Sequence, residues 1–159
     1  MNFYAGGNYF MEKNNLDFIT LIMAAGKGTR MKSNKSKMVQ KIYDKELVKR
    51  VVTLTEKIGS KETIVIVGYL KEQVQNVLKD RVKYVYQEEL LGTGHAVMQA
   101  EEYLKDKKGK VLILCGDVPV IRTSTLQNLI EKSMLRKEYA TVLTAIYDNP
   151  TRIWQNYTR

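Results

Sequence analysis

The sequence predicts an α/β fold, a three-layer Rossmann-like arrangement in which a mostly parallel sheet carries helices on both faces. Apolar runs of strand length alternate along the chain with segments of helical period, in the order β, α, β, α. Strands that are joined by single helices form right-handed crossovers and therefore pair in parallel. Such sheets bind ligands beyond the carboxyl ends of their strands, so the loops at that edge are the expected functional region.

Five short apolar or β-branched runs are the expected strands. The first run has the continuous apolar character of a buried strand, and the last run is rich in β-branched residues. The strands are expected at residues 18–24, 63–67, 82–86, 110–115 and 141–147.

Four segments with apolar residues at helical spacing are the expected helices. The first has Leu and Val side chains along one face, with Gly59 following as its stop. Thr123 or Ser124 is the expected cap of the last helix. The helices are expected at residues 45–58, 70–78 and 94–104, and from that cap to about residue 137.

The composition fits one soluble domain without disulfides. A chain of 159 residues can build one packed core. No apolar run reaches the roughly 20 residues of a membrane span, and the first residues do not read as a secretory signal. We therefore expect a cytoplasmic protein without a membrane partner. The single cysteine, Cys115, is expected to be a small buried residue, and any bound metal would need oxygen ligands.

The charge balance is strongly basic. Lysine and arginine number 26 against 17 acidic residues, which gives a net charge of +9. Such a field attracts nucleic acid, an anionic membrane or a nucleoside triphosphate, although a merely solvated surface accounts for most of these lysines. No stripe of interleaved basic and aromatic residues is present, so nucleic acid is not an expected partner.

The loop after the first strand has the composition of a phosphate-binding loop. Residues 23–31 read MAAGKGTRM. Gly26 and Gly28 would let backbone N–H groups approach phosphate oxygens, while Lys27 and Arg30 would supply positive charge. The string follows neither the P-loop nor the dinucleotide-binding pattern. An ordinary glycine-containing turn with solvated cations is the alternative.

Two later loops supply candidates for base and metal binding. Gln87 offers a donor and an acceptor that suit the imide edge of uracil, and Gly92 permits a close approach of the backbone. The alternative is a plain loop-to-helix junction, with His95 as a hydrogen-bonding residue at the helix start. Asp117 could hold Mg²⁺ on a triphosphate, or it could cap the turn that Pro119 begins.

The longer strings resemble a known family. AAGKGTRM with Lys37 behind it, LGTGHA after Gln87, and LCGDVP around Asp117 resemble the uridyltransferase domain of bacterial bifunctional enzymes that form UDP-N-acetylglucosamine. That domain belongs to the MobA-like nucleotidyltransferase superfamily. The resemblance implies a nucleotide-diphospho-sugar transferase fold. It also implies a reaction of cell-wall precursor synthesis, in which N-acetylglucosamine 1-phosphate attacks the α-phosphorus of UTP and pyrophosphate leaves.

The resemblance implies a role for each matching residue. Arg30 and Lys37 would be catalytic because they neutralise charge that grows on phosphate oxygens, and Asp117 would hold Mg²⁺. UTP or the UDP-sugar would bind along the two glycine-containing loops. The residues implied for this binding are Met23, Ala24, Ala25, Gly26, Lys27, Gly28, Gln87, Gly92 and Thr93.

Three positions depart from the usual pattern of the family. Ser36 stands where proline is usual, which would loosen the loop that aims Lys37. Gln40 stands where histidine is usual. Leu90 replaces a second glutamine, which would remove a polar contact near the base.

The resemblance also sets the expected domain limits. Residues 18–151 would be a partial nucleotidyltransferase domain, and residues 1–17 a disordered extension with the true start at Met11. Residues 152–159 would be an aberrant tail from a frameshift, because a nucleotide string that encodes them also encodes GYGRIIR, the usual continuation, one base later. The sugar-binding residues, a second metal ligand and an acetyltransferase β-helix would lie beyond Arg159. Impaired turnover and no oligomer are therefore expected, with a non-catalytic nucleotide-binding remnant or a nucleotidyltransferase for another sugar phosphate as alternatives.

Overall fold

The computed structural model describes residues 17–31, 33–136 and 139–146, which are built around a four-stranded parallel sheet. Strand β1 is followed along the chain by a short antiparallel hairpin of β2 and β3, and then by β4, β5 and β6. The sheet has the spatial order β5-β4-β1-β6. The strand bounds are β1 (Phe18–Ala24), β2 (Lys41–Ile42), β3 (Lys45–Glu46), β4 (Thr63–Val67), β5 (Lys83–Tyr86) and β6 (Lys110–Cys115).

Helices pack on both faces of this sheet, as the sequence predicts. One face is covered by the first, second and fifth helices and the other face by the third and fourth. The helix bounds are α1 (Leu47–Lys57), α2 (Lys71–Leu78), α3 (Thr93–Met98), α4 (Glu101–Leu104) and α5 (Thr123–Leu135). Short 3-10 turns at Thr29–Met31, Lys37–Val39 and Lys79–Arg81 complete the described elements.

The four strands of the sheet differ in how well their two faces are buried. In β1, Leu21 and Ile22 point to opposite faces and are both 0% exposed, because this strand lies inside the sheet with helices on either side. In β6, Leu112 is buried, whereas Val111 and Ile113 on the opposite face are 42% and 45% exposed. In the described part of the chain, the layer formed by α3 and α4 therefore leaves this face of β6 uncovered.

The end of α1 confirms the predicted glycine stop. Gly59 has a φ of +80°, which a residue without a Cβ adopts at little cost. Its N–H donates to the carbonyl of Glu56, and the N–H of Ser60 donates to the carbonyl of Thr55, both at 3.1 Å. This pair of bonds is the Schellman arrangement, which satisfies carbonyls that a helix end otherwise leaves without donors.

The helix predicted over residues 94–104 is interrupted. The chain tightens at Ala100, whose N–H donates to the carbonyl of Val97 at 3.0 Å, an i→i−3 bond. At the preceding residue, the Gln99 side chain donates to the carbonyl of His95 at 3.2 Å and so competes for a backbone acceptor. The predicted single helix is wrong, although its core residues Ala96 and Ala100 are buried as expected.

Two further predictions are wrong at the carboxyl end of the described chain. The helix α5 begins at Thr123 itself, so its capping position is Arg122, which makes no capping bond through its side chain. Residues 141–146 form no strand, and Val142 and Ile146 are 78% and 99% exposed. Their β-branched composition gives strand propensity, but a strand also requires a paired neighbour and a surface to pack on.

The predicted extension and tail fall almost wholly outside the described residues. Residues 1–16 and 147–159, which include the predicted start at Met11, are not among them. Within the described ranges, no helix has the length and apolar character needed to cross a membrane.

Candidate functional site

A cleft of about 480 Å³ lies at the carboxyl edge of the sheet, where the strand order reverses. After β1 the chain places β4 on one side and later places β6 on the other, so the loops after β1 and β6 flank a crevice. Crevices of this kind are the usual ligand sites of open parallel sheets. Most of the residues predicted from the sequence line this cleft, namely Met23, Ala25, Gly26, Lys27, Gln87, Gly92, Thr93 and Asp117.

Other predicted residues lie at or behind the wall of this cleft. Ala24 is buried in the core at 1% exposure, so only its backbone could face a ligand. Gly28 has a φ of +59°, and a Cβ added there would lie 3.2 Å from the Cβ of Lys37. A glycine is therefore needed for the loop to pass close to Lys37. Arg30 lies in the 3-10 turn Thr29–Met31, and the role of its side chain stays a prediction.

Lys37 forms an ion pair with Asp117, which lines the cleft. The Lys37 Nζ lies 2.6 Å from Asp117 Oδ2, with the two side chains 36% and 28% exposed. They come from distant parts of the chain, one from the 3-10 turn Lys37–Val39 and the other from the loop after β6. The pair brings the predicted catalytic cation and the predicted metal ligand into direct contact.

Ser36 fixes the loop that carries Lys37, contrary to the expectation that it would loosen it. Ser36 is 1% exposed, and its N–H donates to Gln73 Oε1 at 2.8 Å. Its hydroxyl accepts a hydrogen bond from the N–H of Met38 at 3.3 Å and so caps the 3-10 turn. Proline has no N–H and could not make the bond to Gln73, so serine holds the loop by a different means.

Asp117 can contribute only part of a metal site. Among the described residues there is no group of three or more His, Cys, Asp or Glu side chains that could hold a metal ion. A single carboxylate suits Mg²⁺ when phosphate oxygens and water supply the other ligands, because Mg²⁺ binds oxygen in octahedral geometry and retains several waters. The residues present therefore fit a metal ion that binds together with a nucleotide.

Gln87 is the centre of a hydrogen-bond network on the other wall of the cleft. Its backbone N–H donates to the carbonyl of Val67 at 2.8 Å, which extends the strand pairing by one residue. Gln87 is 3% exposed. Its side-chain Nε2 donates to the carbonyl oxygen of Gly92 at 3.1 Å and lies 3.0 Å from His95 Nδ1. The side chain is thus held in one place at the cleft.

Gly68 and Gly116, which were not predicted as site residues, allow the loops around the cleft to pack closely. A Cβ added at Gly68 would lie 2.8 Å from the carbonyl oxygen of Gln87 and 3.0 Å from the Cβ of Ala25. One added at Gly116 would lie 3.0 Å from the sulfur of Met38. Each glycine directly follows a strand of the sheet, β4 or β6, and that position was the available signal in the sequence.

Cys115 is exposed rather than buried, which corrects the prediction made from the sequence. It lies on the uncovered face of β6, yet partial burial of its thiol raises the pKa above the usual range, and the nearby Asp117 carboxylate raises it further. A raised pKa keeps the sulfur protonated at neutral pH, and the thiol is a poor nucleophile.

Residues 20–154 match the MobA-like NTP transferase domain family. The chain belongs to this family. Within it, the bifunctional protein GlmU of Thermoanaerobacter pseudethanolicus is 50% identical over 133 residues, which are 84% of this chain and 29% of that relative. The GlmU protein of Francisella tularensis subsp. novicida is 48% identical over 131 residues, 82% of this chain and 28% of that relative. This NTP transferase domain therefore spans less than a third of the length of these relatives.

Solved structures confirm the fold of the NTP transferase domain. Rv0371c from Mycobacterium tuberculosis superposes with a TM-score of 0.65 at 18% identity, over 74% of this chain and 61% of that one. A complex of the same protein with manganese gives a TM-score of 0.61 at 16% identity, over 74% and 60% of the two chains. A nucleotidyl transferase from Methanothermobacter gives 0.63 at 20% identity, over 72% and 57%. The predicted fold class, a parallel α/β sheet of the nucleotidyltransferase type, is confirmed.

Proposed function

We propose that this NTP transferase domain transfers a uridylyl group from UTP to N-acetylglucosamine 1-phosphate, giving UDP-N-acetylglucosamine and pyrophosphate. The observation that carries the proposal is the meeting of three features in one cleft: the loop of Gly26 to Gly28, the Lys37–Asp117 pair and the fixed side chain of Gln87. The identity of about half of the aligned residues to GlmU proteins supports the choice of substrates.

The triphosphate of UTP would bind along the loop after β1. Gly26 is exposed, and a Cβ added there would meet nothing within 4 Å, so the space above the loop is open to a ligand. Lys27 is exposed beside it, and Arg30 follows in the next turn. Backbone N–H groups and cations in such a loop bind phosphate oxygens by charge-assisted hydrogen bonds.

The proposed reaction needs no covalent enzyme intermediate. A phosphate oxygen of the sugar 1-phosphate forms a bond to the α-phosphorus of UTP, and the bond from that phosphorus to the oxygen that bridges to the β-phosphate breaks. Pyrophosphate leaves with the electron pair. Near neutral pH most of a phosphate monoester is already doubly ionised, so the nucleophile needs no general base. Lys27, Arg30 and Lys37 would stabilise the charge that develops on the phosphate oxygens.

Asp117 would hold a Mg²⁺ ion against the phosphates of UTP. Such an ion neutralises phosphate charge and orients the leaving group. The manganese complex of the structural neighbour supports a divalent metal in a fold of this kind. When a metal and nucleotide bind, Lys37 would exchange its contact with Asp117 for a phosphate oxygen.

Gln87 would bind the uracil, and Gly92 and Thr93 would lie beside the base and ribose. All three line the cleft on the wall opposite the loop of Asp117. Leu90 lines the same wall, and it supplies an apolar surface where a base can pack.

A second candidate is a uridine nucleotide-binding domain that does not turn over. The chain spans 29% of the length of the first GlmU relative, so the identity to that relative supports nucleotide binding more directly than it supports the activity of the whole relative. We place the domain at residues 18–151, with the chain as given binding UTP and showing impaired turnover.

Titration of UTP into the purified chain, with and without Mg²⁺, tests the binding site. We expect UTP to bind and Mg²⁺ to tighten the binding, while Asp117→Asn removes the tightening and leaves the fold intact. Asp106→Asn is the matched control, since Asp106 is an exposed aspartate on the loop after α4, away from the cleft. If Asp117→Asn keeps the effect of Mg²⁺, the carboxylate only caps its turn.

A pyrophosphate-release assay with UTP and N-acetylglucosamine 1-phosphate separates the two candidates. Release well above the level of a reaction without protein would establish the transferase activity of the chain. Nucleotide binding without release would support the non-catalytic domain.

A further inference from the structure

Gln73 joins helix α2 to the loop that precedes Lys37. Its side-chain oxygen Oε1 accepts from the backbone N–H of Ser36 at 2.8 Å, and its nitrogen Nε2 donates to the backbone carbonyl of Asn34 at 3.2 Å. A backbone N–H can only donate and a carbonyl oxygen can only accept, so these two partners fix the orientation of the amide. An amide side chain supplies both bonds at once, which neither a carboxylate nor an apolar side chain can do.

The residues of this loop differ sharply in burial. Ser33, Asn34 and Lys35 are exposed and belong to neither a helix nor a strand. Loops with few buried contacts open at a low cost in free energy. Ser36, in contrast, is 1% exposed at the point where its N–H meets the amide of Gln73. Gln73 therefore anchors to α2 a segment that its own side chains do not bury.

The anchored backbone ends one residue before Lys37. Consecutive Cα atoms are held about 3.8 Å apart by the peptide bond, so a movement of Ser36 is passed directly to Lys37. The Lys37 side chain begins beside Gly28, where an added Cβ would lie 3.2 Å from its Cβ, and it ends 2.6 Å from Asp117 Oδ2. Gln73 does not line the cleft, so its effect on a ligand would pass through the loop that it holds.

We propose that Gln73 is a positioning residue that aims Lys37 at the phosphates of a bound nucleotide by holding the loop of residues 34–36. The inference rests on the proposed function, in which Lys37 binds phosphate oxygens. A backbone that is held in place before binding reduces the conformational entropy that is lost when the lysine exchanges Asp117 for a phosphate. The site would thus gain affinity for phosphates from a residue that lies outside the cleft.

The backbone of Ser36 offers a second way to hold this loop. Its φ of −55° and ψ of 138° are values that proline also adopts. When Gln73 is replaced by leucine, the buried N–H of Ser36 loses its acceptor, which destabilises the observed position of the loop. Ser36→Pro removes that donor and restricts φ, so it should hold the loop without the amide of Gln73.

The experiment measures the dissociation constants of uridine and UTP in the presence of Mg²⁺. The phosphate ratio, which is the constant for uridine divided by the constant for UTP, reports what the phosphates add to binding. Gln73→Leu should reduce this ratio by about threefold to tenfold, the usual effect of one lost hydrogen bond. Gln75→Leu is the matched control and should leave the ratio unchanged, because Gln75 lies in the same helix but its Nε2 donates to the hydroxyl of Tyr86.

Two double variants separate positioning from a merely structural role. In a Lys37→Met background, Gln73→Leu should cause no further loss of the phosphate ratio, since the effect passes through the lysine. Ser36→Pro should restore much of the ratio to Gln73→Leu. A folded Gln73→Leu chain with an unchanged ratio would overturn the proposal, and so would an equal loss of the ratio in the Lys37→Met background.

A second measurement keeps the proposal testable if Gln73→Leu does not fold. In the unaltered chain the N–H of Ser36 should exchange with solvent deuterium more slowly than in an unstructured peptide, because it is buried and donates to Gln73. Exchange at the rate of an unstructured peptide would overturn the proposal. Failure of the unaltered chain to bind UTP would instead refute the proposed function, whereas UTP binding with an unchanged phosphate ratio in Gln73→Leu refutes only the role of Gln73.

Discussion

Replacing Gly68 by alanine should separate the two walls of the cleft. The new Cβ would lie 2.8 Å from the carbonyl oxygen of Gln87, 3.0 Å from the Cβ of Ala25 and 3.0 Å from Cδ2 of Leu90. Leu90 can move away by changing its rotamer. The carbonyl of Gln87 and the Cβ of Ala25 cannot, because they move only when the backbone of their loops moves. Overpacking of this kind costs about 1–3 kcal/mol, because neighbouring atoms must move from their packed positions.

Thermal unfolding followed by circular dichroism measures this cost. For a domain of this size, each kcal/mol lowers the melting temperature by about 2–4 °C. Gly94→Ala is the matched control, since Gly94 lies in α3 and a Cβ there would meet nothing within 4 Å. The control should leave stability unchanged or raise it by about 0.5–1 kcal/mol, because alanine loses less backbone entropy in a helix.

Nucleotide binding supplies the second half of the test. Because Gly68 spaces the loop of Ala25 from the loop of Gln87, Gly68→Ala should weaken UTP binding, while Gly94→Ala should retain it. If both variants melt at the same temperature, the close contacts at Gly68 are absent from the protein and the reasoning fails.

Three further predictions concern stability. The hydrogen bond from Lys83 holds the pKa of Glu62 below its usual value of 4.5. The contribution of ionised Glu62 to the free energy of unfolding is thus fully present above about pH 4.5, and it is lost as pH falls through the lower pKa of the folded state. Glu62→Gln should cost about 1 kcal/mol at pH 7 and flatten the acid limb of urea-unfolding free energies, whereas a parallel acid limb would contradict this. Gly59→Ala should cost about 1–2 kcal/mol in the same assay, because φ is +80°, unless the helix end rearranges without loss. Val111→Thr with Ile113→Thr should raise the concentration at which light scattering begins, with an unchanged melting temperature, and earlier scattering would count against an exposed face of β6.

The strands of the sheet interior could be predicted from the sequence because burial on both faces leaves a plain apolar run. The bounds predicted for β1, β4 and β6 agree with the structure at both ends. The segment at residues 141–146 has the same kind of composition and forms no strand. The composition of a segment indicates whether it could form a strand. Whether it does form one depends on a neighbouring strand with which it can pair, and local sequence does not show that neighbour.

The gathering of most candidate residues at one edge of the sheet could be predicted, but their contacts could not. A parallel sheet brings the loops after β1 and β6 to one edge, so Lys27 and Asp117 were expected near each other. The direct pairing of Lys37 with Asp117 and the bond from Ser36 to Gln73 join residues that are 80 and 37 positions apart in the sequence. The close passage at Gly68 likewise depends on how separate loops pack. No periodicity or motif encodes separations of that length.

The position of β6 at the edge of the sheet gives the loops after β1 and β6 unequal resistance to local opening. β1 is paired on both sides, by β4 and β6, whereas β6 is paired only with β1 among the described strands. Amides on the outer side of β6 should exchange with solvent deuterium faster than those of β1, because edge segments open without global unfolding. Asp117 follows the strand that opens at lower free energy, while Gly26 follows the strand that is most protected. The loop that carries Asp117 can therefore open and close again while the loop that carries Gly26 keeps its shape.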